Sequence, residues 1–518
     1  MQKKRVAVVG GGLSGLTAIK QLCDEGHDVM CFEQGADFGG VFAEGGCYES
    51  TMLTVSNYFM AFSDFVPSDE RLRFWTRREY REYLGRYVQA FGLLKRIHFN
   101  SKVEQVERRG SEWYVRVQRG GETREHVFDA VAVTSGMFQF ANTPALPGLD
   151  TFKGQVHHSS AYTTAHPFEG KHVMCVGMGE SSADVTTEIS EVAASCVLSL
   201  RRYPAVAPRY IPFQEDRYFT IDASWITSRI VNYLPSWMHS LLARGIFKRY
   251  LQSINPDVRL RGQWNTNAGP PPRQVITKNE RVFTHIVDGK VTPNLSGIKT
   301  MTPTGVEFND GERAELDAVM FCTGFQTRFP FLDLAFTSTR DLYKQMFHPD
   351  ADESLAFIGF ARPQQGGIPA IAEMQSRYFA LLCSGKKSLP SREERLAVTA
   401  REKAYWQREY DLTPNVSSLV NYCHYIDAIA ELVGCKPQIP SLLEDPTMHV
   451  KMWCGPQFAA QYRIDGPHPN REASRAFIRS FPQVAPAWQV GVLVLMRLLS
   501  DHVLGSLPRF KVRRLRDA

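Results

Sequence analysis

Arg5-Val-Ala-Val-Val9 runs directly into Gly10-Gly11-Gly12-Leu13-Ser14-Gly15, and the reading of these residues decides the fold. The first five are short, apolar and Val-rich, the pattern of a strand buried on both faces of a parallel sheet. A helix is expected from Leu16 to Cys23, then a turn at Gly26-His27 and a second strand from Asp28 to Phe32. That strand ends at Glu33, 23 positions beyond Gly10. Strand, glycines at 10, 12 and 15, helix, strand and acid form a complete dinucleotide fingerprint. Gly10 supplies the tight turn, Gly12 the close approach to a pyrophosphate, and Gly15 the close packing of helix on strand. The helix N-terminus offers unpaired N–H groups to phosphates. An acid at the ribose position excludes a 2′-phosphate, so this site expects FAD or NAD.

The pattern repeats once. Lys171-His-Val-Met-Cys-Val176 leads into Gly177-Met178-Gly179-Glu180-Ser181-Ser182, with a small serine in the third glycine slot. The next strand, Ser195 to Leu200, ends in Arg201-Arg202 where the first unit has its acid. Arginine there suits a 2′-phosphate, so the second site expects NADPH. Together the two sites describe an FAD enzyme reduced by NADPH. The expected fold class is α/β, with two Rossmann-like dinucleotide-binding domains and the second inserted in the first.

Composition agrees with a soluble globular chain of several domains. The 518 residues are 43% hydrophobic and 22% charged, with a net charge of only +6, which gives no reason to expect a nucleic-acid partner. None of the ten cysteines is spaced CxxC, which removes zinc-ribbon and redox-disulfide signatures. No metal site is expected. Reduced thiols and the lack of a signal peptide point to the cytoplasm or the cytoplasmic face of an internal membrane. The sequons at Asn294 and Asn415 are read as chance matches.

Between the two loops lies Phe152-Lys-Gly154-Gln-Val-His-His158-Ser-Ser-Ala-Tyr162, an FxGxxxHxxxY arrangement. It resembles the identifying sequence of the flavin-containing monooxygenases. Phe32-Glu33…Gly39-Gly40-Val41-Phe42 is similar to the family's FE…GGxW segment, with Phe42 in place of Trp. Thr54 to Phe65 resembles the segment bearing the family's active-site asparagine, here Asn57. Asp129 to Gly136 and Asp317 to Phe325 are similar to its interdomain crossings. Glu373-Met-Gln375-Ser-Arg377, Leu389-Pro390-Ser391, Gln461-Tyr462-Arg463 and Gly466-Pro467 extend the likeness, and Tyr210 to Ile276 resembles the insert of the longer, eukaryotic-type members. Two features depart from the pattern: Glu180 and Ser182 stand where the family shows Asn and Gly, and the C-terminus lacks a clean hydrophobic anchor.

The expected layout is a first part of the FAD domain over 1–165, an NADPH domain over 166–325 carrying the insert 210–276, and the rest of the FAD domain with the tail over 326–518. Pro-rich 269–273 is read as a loop leaving the insert. The resemblance implies that NADPH reduces FAD and that O2 adds at flavin C4a to give a (hydro)peroxyflavin. That species oxygenates a nucleophilic N or S of a small molecule. Alternatives are Baeyer–Villiger oxygenation of a ketone, which Tyr162-Thr163 in place of Trp-Pro disfavours, and a redox protein that binds FAD and NADPH without oxygenating. Asn57 is the catalytic candidate, donating to the peroxyflavin oxygen. His158 is read as an interdomain residue near NADPH, and Gln375 as touching the flavin region. An apolar stretch from Trp488 to Leu499, followed by five basic residues between Arg509 and Arg516, points to peripheral membrane contact through the tail. Partners are then the small substrate and O2, with homo-oligomerisation left open.

Overall fold

The computed structural model describes residues 3–67, 71–214, 217–233, 236–269, 275–334, 336, 338–410 and 418–482, with 491, 492 and 495. The basic tail from Pro508 lies outside the described residues. So do most of the apolar stretch before it, the prolines at 270–272 and Asn415.

Two five-stranded parallel sheets carry the molecule. The first runs, edge to edge, Leu355–Phe357, Ala130–Val133, Arg5–Val9, Asp28–Phe32 and Ile97–His98. The second runs Thr292–Asn294, Ser195–Ser199, His172–Val176, Ala318–Phe321 and Gln155–His158. In each, the strand feeding the glycine loop is central, covered on both faces, and therefore continuously apolar: Val6, Ala7 and Val8 are fully buried, as are Val173, Met174 and Cys175. The helix Leu13–Asp24 begins three residues earlier than the sequence pattern suggests, at the residue after Gly12. It lies against the long buried helix Ile368–Cys383. A three-stranded antiparallel sheet, Lys102–Arg109, Glu112–Arg119 and Glu122–Phe128, forms a separate ribbon beside the first sheet.

Two features differ from the expected layout. Gln155–His158 is an edge strand of the second sheet, not part of the first body, because its register partners are Ala318 to Phe321. The chain thus enters the second sheet earlier than residue 166. The links into and out of the second sheet pair antiparallel, Phe140–Ala141 against Phe325–Gln326. The insert, moreover, does not stay with the second sheet. Its Arg229, on the short helix Arg229–Asn232, donates to the Asp427 carboxylate at 2.5 Å, and Tyr233 and Tyr462 hydroxyls donate to the same group. Asp427 sits on the helix Tyr422–Val433, late in the chain. Burial opposes ionisation of this carboxyl, but Arg229 outweighs it and holds the pKa below the ordinary range.

Candidate functional site

In the first glycine loop, geometry explains Gly10 and Gly15. Gly10 sits at φ +108°, and a Cβ there would lie 2.8 Å from the Thr134 carbonyl oxygen. A Cβ on Gly15 would lie 1.9 Å from the Gly10 oxygen, so helix and strand can approach only with hydrogen in that slot. The Thr134 hydroxyl donates to the Val9 and Gly10 carbonyls and locks the turn. Gly39 donates its N–H to the Gly11 oxygen at 3.0 Å, and Gly40, at φ +60°, lies against Gly12. The Glu33 carboxylate accepts from the N–H groups of Gly11 at 2.6 Å and Gly35 at 2.7 Å, which fixes it over the loop.

The second loop repeats the turn and varies the packing. Gly177 has φ +103°, and its Cβ would lie 2.8 Å from the Cys322 oxygen. Ser182 occupies the slot of Gly15, and its hydroxyl donates to the Gly177 carbonyl. A side-chain hydrogen bond thus replaces the close contact. Neither Gly12 nor Gly179 caps its helix with a side chain, whereas Thr76, Ser391, Asn421 and Asp445 do so for other helices. A helix N-terminus of this kind leaves first-turn N–H groups that a phosphate can complete. Ser181 lies in that first turn. Arg201 and Arg202 are exposed just past Ser195–Ser199 and, among the described residues, carry no ion pair.

Between the sheets, His158 Nε2 donates to the Gly324 carbonyl at 3.0 Å and Nδ1 accepts from the Ser160 N–H at 3.1 Å. Burial lowers its pKa, the carbonyl opposing, so a neutral ring braces its strand against the outgoing link at Gly324. Glu180 accepts from the Lys278 N–H at 2.9 Å, and burial raises its pKa against the pull of Lys278. Nearby, the Asp184 carboxylate takes hydrogen bonds from Tyr48, Arg209 and Asn279.

Asn57 starts a short helix, Asn57–Met60, and has no exposed surface. Its Nδ2 donates to the Arg71 carbonyl at 3.0 Å and its Oδ1 accepts from the Arg73 N–H at 3.2 Å. An amide has one further N–H and one further lone pair to offer. Gln375, also fully buried, accepts from the Gly359 N–H at 2.8 Å and donates to the Tyr425 hydroxyl at 2.7 Å. Gly359 in turn abuts Ser14 at the first helix N-terminus. Gln375 therefore reaches the first cofactor loop through Gly359, not by its own side chain.

Sequence reasoning gave no role to the groups that hold this segment. The Asp222 carboxylate of the insert accepts from the Ser56 N–H at 2.6 Å. Burial raises its pKa, the Ser56 N–H working the other way. On the far side, Glu373 accepts from the Ser63 N–H at 2.6 Å. Arg463, 1% exposed, donates to Ser63 at 2.8 Å, Asp64 at 2.9 Å and Glu373 at 2.8 Å. Lys20 completes the cluster with a 2.6 Å contact to Asp64.

The comparisons with known proteins agree with this geometry. The family model described as flavin-binding monooxygenase-like matches residues 3–490. A 4-hydroxybenzoate brominase (decarboxylating) from Pseudoalteromonas luteoviolacea is 54% identical over 97% of this chain and 98% of its own length. One from Marinomonas mediterranea is 55% identical over 99% of this chain and 100% of its own. Flavin-containing monooxygenase 5 of Cavia porcellus is 31% identical over 93% of each. Among solved structures, S-allyl-L-cysteine S-oxygenase from Allium sativum superposes with a TM-score of 0.62 at 21% identity, covering 93% of this chain and 99% of that one.

Proposed function

Because the chain belongs to the flavin-binding monooxygenase-like family, as an enzyme with FAD and NADPH as cofactors, we propose that it brominates a hydroxylated aromatic acid with loss of the ring carboxylate. The observation that carries this reading is the 54% and 55% identity, over nearly the whole chain, to two decarboxylating 4-hydroxybenzoate brominases, against 31% to flavin-containing monooxygenase 5. Bromide then takes the place that the sequence reading gave to a nucleophilic N or S.

Bound at the first loop, FAD supplies reduction by NADPH and activation of O2. The overall reaction balances. NADPH gives two electrons and bromide two, O2 leaves as two waters, and a C–Br bond forms where the C–CO2 bond breaks. The residues of this chain hold and shield. The uncapped helices at Gly12 and Gly179 would hold the phosphates, Glu33 the adenosine ribose of FAD, and Arg201 and Arg202 the 2′-phosphate of NADPH. The segment carrying Asn57 is held at Ser56 by Asp222 and at Ser63 by Glu373, which would keep the Asn57 amide in place.

The test is turnover of the holoenzyme with NADPH, air, sodium bromide and 4-hydroxybenzoate. Bromophenol and CO2 by mass spectrometry, both dependent on bromide, are the expected products. Absence of bromophenol, with an N-oxide or S-oxide formed from an added amine or thioether, would overturn the proposal and restore heteroatom oxygenation. An ester formed from an added ketone would instead favour Baeyer–Villiger chemistry.

A further inference from the structure

Two loops leave the carboxyl ends of neighbouring strands of the first sheet, Ala130–Val133 and Leu355–Phe357, side by side. Crevices at such ends are where α/β sheets receive ligands. Five residues beyond each strand stand Phe138 and Arg362, with the Arg362 guanidinium carbon 5.9 Å from the Phe138 ring centroid. Phe138 meets Phe325 edge-on at 5.7 Å, and Phe325 meets His158 at 5.3 Å. A short aromatic wall thus runs from the arginine to the link between the sheets.

The backbone of Arg362 is fixed, its N–H donating to the Ser418 carbonyl at 3.0 Å and its Cα in register with Leu419. Its side chain is not fixed by charge. Arg463, Arg229, Arg377 and Arg395 are all buried, and each hydrogen-bonds a carboxylate or a carbonyl. Among the described residues Arg362 has neither an ion pair nor a side-chain hydrogen bond. Its side chain is half-buried and keeps accessible surface beside the Phe138 ring. Burial lowers its pKa and the Glu180 charge raises it, so a carboxylate lies near enough to be felt. That carboxylate is already engaged by Lys278. A half-buried guanidinium without a protein partner is free to pair with an anion, and its planar fork matches a carboxylate bidentately.

We infer that Arg362 binds the carboxylate of the aromatic acid substrate, with Phe138 and Phe325 forming the wall against its ring; the assignment rests on the proposed function. It makes Arg362 a specificity residue that separates hydroxybenzoates from plain phenols. Arg201 and Arg202 are assigned above to the coenzyme 2′-phosphate, just past Ser195–Ser199, and the helix N-terminus after Gly179 to its pyrophosphate.

The experiment measures binding of 4-hydroxybenzoate and of phenol to the FAD- and NADP+-loaded full chain by titration calorimetry, for wild type, Arg362→Gln and Arg362→Lys. Flavin absorbance confirms that the variants are loaded. Arg362→Gln is expected to weaken 4-hydroxybenzoate about 10- to 100-fold, the scale of a charged hydrogen-bonded pair, and to leave phenol within about twofold. Arg362→Lys recovers part of the loss. Equal weakening of both ligands, unchanged affinity for 4-hydroxybenzoate, or a loss confined to NADPH would overturn the assignment. If wild type binds 4-hydroxybenzoate through Arg362 yet yields no bromophenol, the reaction proposed above falls and the site stands. If wild type yields bromophenol and Arg362→Gln keeps its affinity, the site falls and the reaction stands.

Discussion

Arg463→Met tests whether the cation under the Asn57 segment holds the site together. The side chain reaches Ser63, Asp64, Glu373, Gln21 and the His468 carbonyl from a fully buried position. Methionine fills much of the volume and removes every polar contact. Glu373 and Asp64 are then buried carboxylates left, among the described residues, with one ion pair, Lys20 at 2.6 Å from Asp64. Breaking a buried pair from one side costs about 3–5 kcal/mol, whereas replacing both partners by apolar groups is often close to neutral. We expect Arg463→Met to lower the urea midpoint by an amount equivalent to about 3–5 kcal/mol, and Arg463→Met with Glu373→Met to restore a substantial part. The pH dependence has a definite sign. Burial pushes the Asp64 carboxyl up, but Arg463 and Lys20 outweigh it and hold its pKa below the ordinary value. A depressed folded-state pKa contributes stability above the unfolded-state value of about 4 and loses it as pH falls below that. The gap between wild type and Arg463→Met should therefore narrow on acidification below about pH 4. Urea unfolding followed by tryptophan emission at several pH values measures both quantities. A single-variant cost under about 1 kcal/mol, or a double variant as damaged as the sum of its singles, would refute the reasoning.

Three further outcomes follow from the geometry. Gly15→Ala places a methyl 1.9 Å from the Gly10 oxygen, so the protein should purify with less than about a tenth of the wild-type flavin absorbance. Neutralising Arg201 and Arg202 together should raise KM for NADPH at least about tenfold and leave KM for NADH nearly unchanged, since only NADPH carries the 2′-phosphate; equal effects on both coenzymes would dismiss the assignment. Asn57→Ala removes the amide that bonds the Arg71 carbonyl and the Arg73 N–H and should cost about 1–3 kcal/mol, with FAD retained and more hydrogen peroxide released per NADPH; unchanged coupling would make Asn57 purely structural.

Much of the fold was legible because a dinucleotide loop is a local object. Gly10, Gly12, Gly15 and Glu33 span 24 residues, and the constraints on them come from turn geometry that any such chain must satisfy. The repeat at Gly177 was legible for the same reason, including Ser182 as a tolerated substitute. Non-local pairings were not. Arg229 finds Asp427 from 198 positions away, and Ser63 finds Arg463 from 400, with nothing in the neighbouring residues to announce either partner. The insert accordingly read as an appendage of the second sheet, although it braces the Asn57 segment through Asp222. Gln155–His158 falls within the expected first part of the FAD domain, 1–165, because its apolar content is low; an edge strand needs only one covered side and carries a weaker signature. Arg362 sits in a stretch that looks like loop, and only the strand pairing brings it beside Phe138. Family likeness at about 30% identity is shared with flavin-containing monooxygenase 5, which is why the motifs alone led to N or S as the oxygen acceptor.

The first sheet closes only when Leu355–Phe357 pairs with Ala130–Val133, after the second sheet has received its last strand, Ala318–Phe321. On the ribosome this imposes an order. The flavin loop emerges first and then waits for 348 residues between Val9 and Phe357, roughly 17–70 s at bacterial-to-eukaryotic elongation speeds of about 5–20 residues per second. The coenzyme half can be complete before that. Nascent chains therefore expose an unfinished flavin cradle during most of their synthesis, and flavin capture becomes the closing event of maturation. Ribosome-bound chains stalled before Leu355 should carry no flavin, and chains stalled well past Cys383, with the bracing helix released, should carry it.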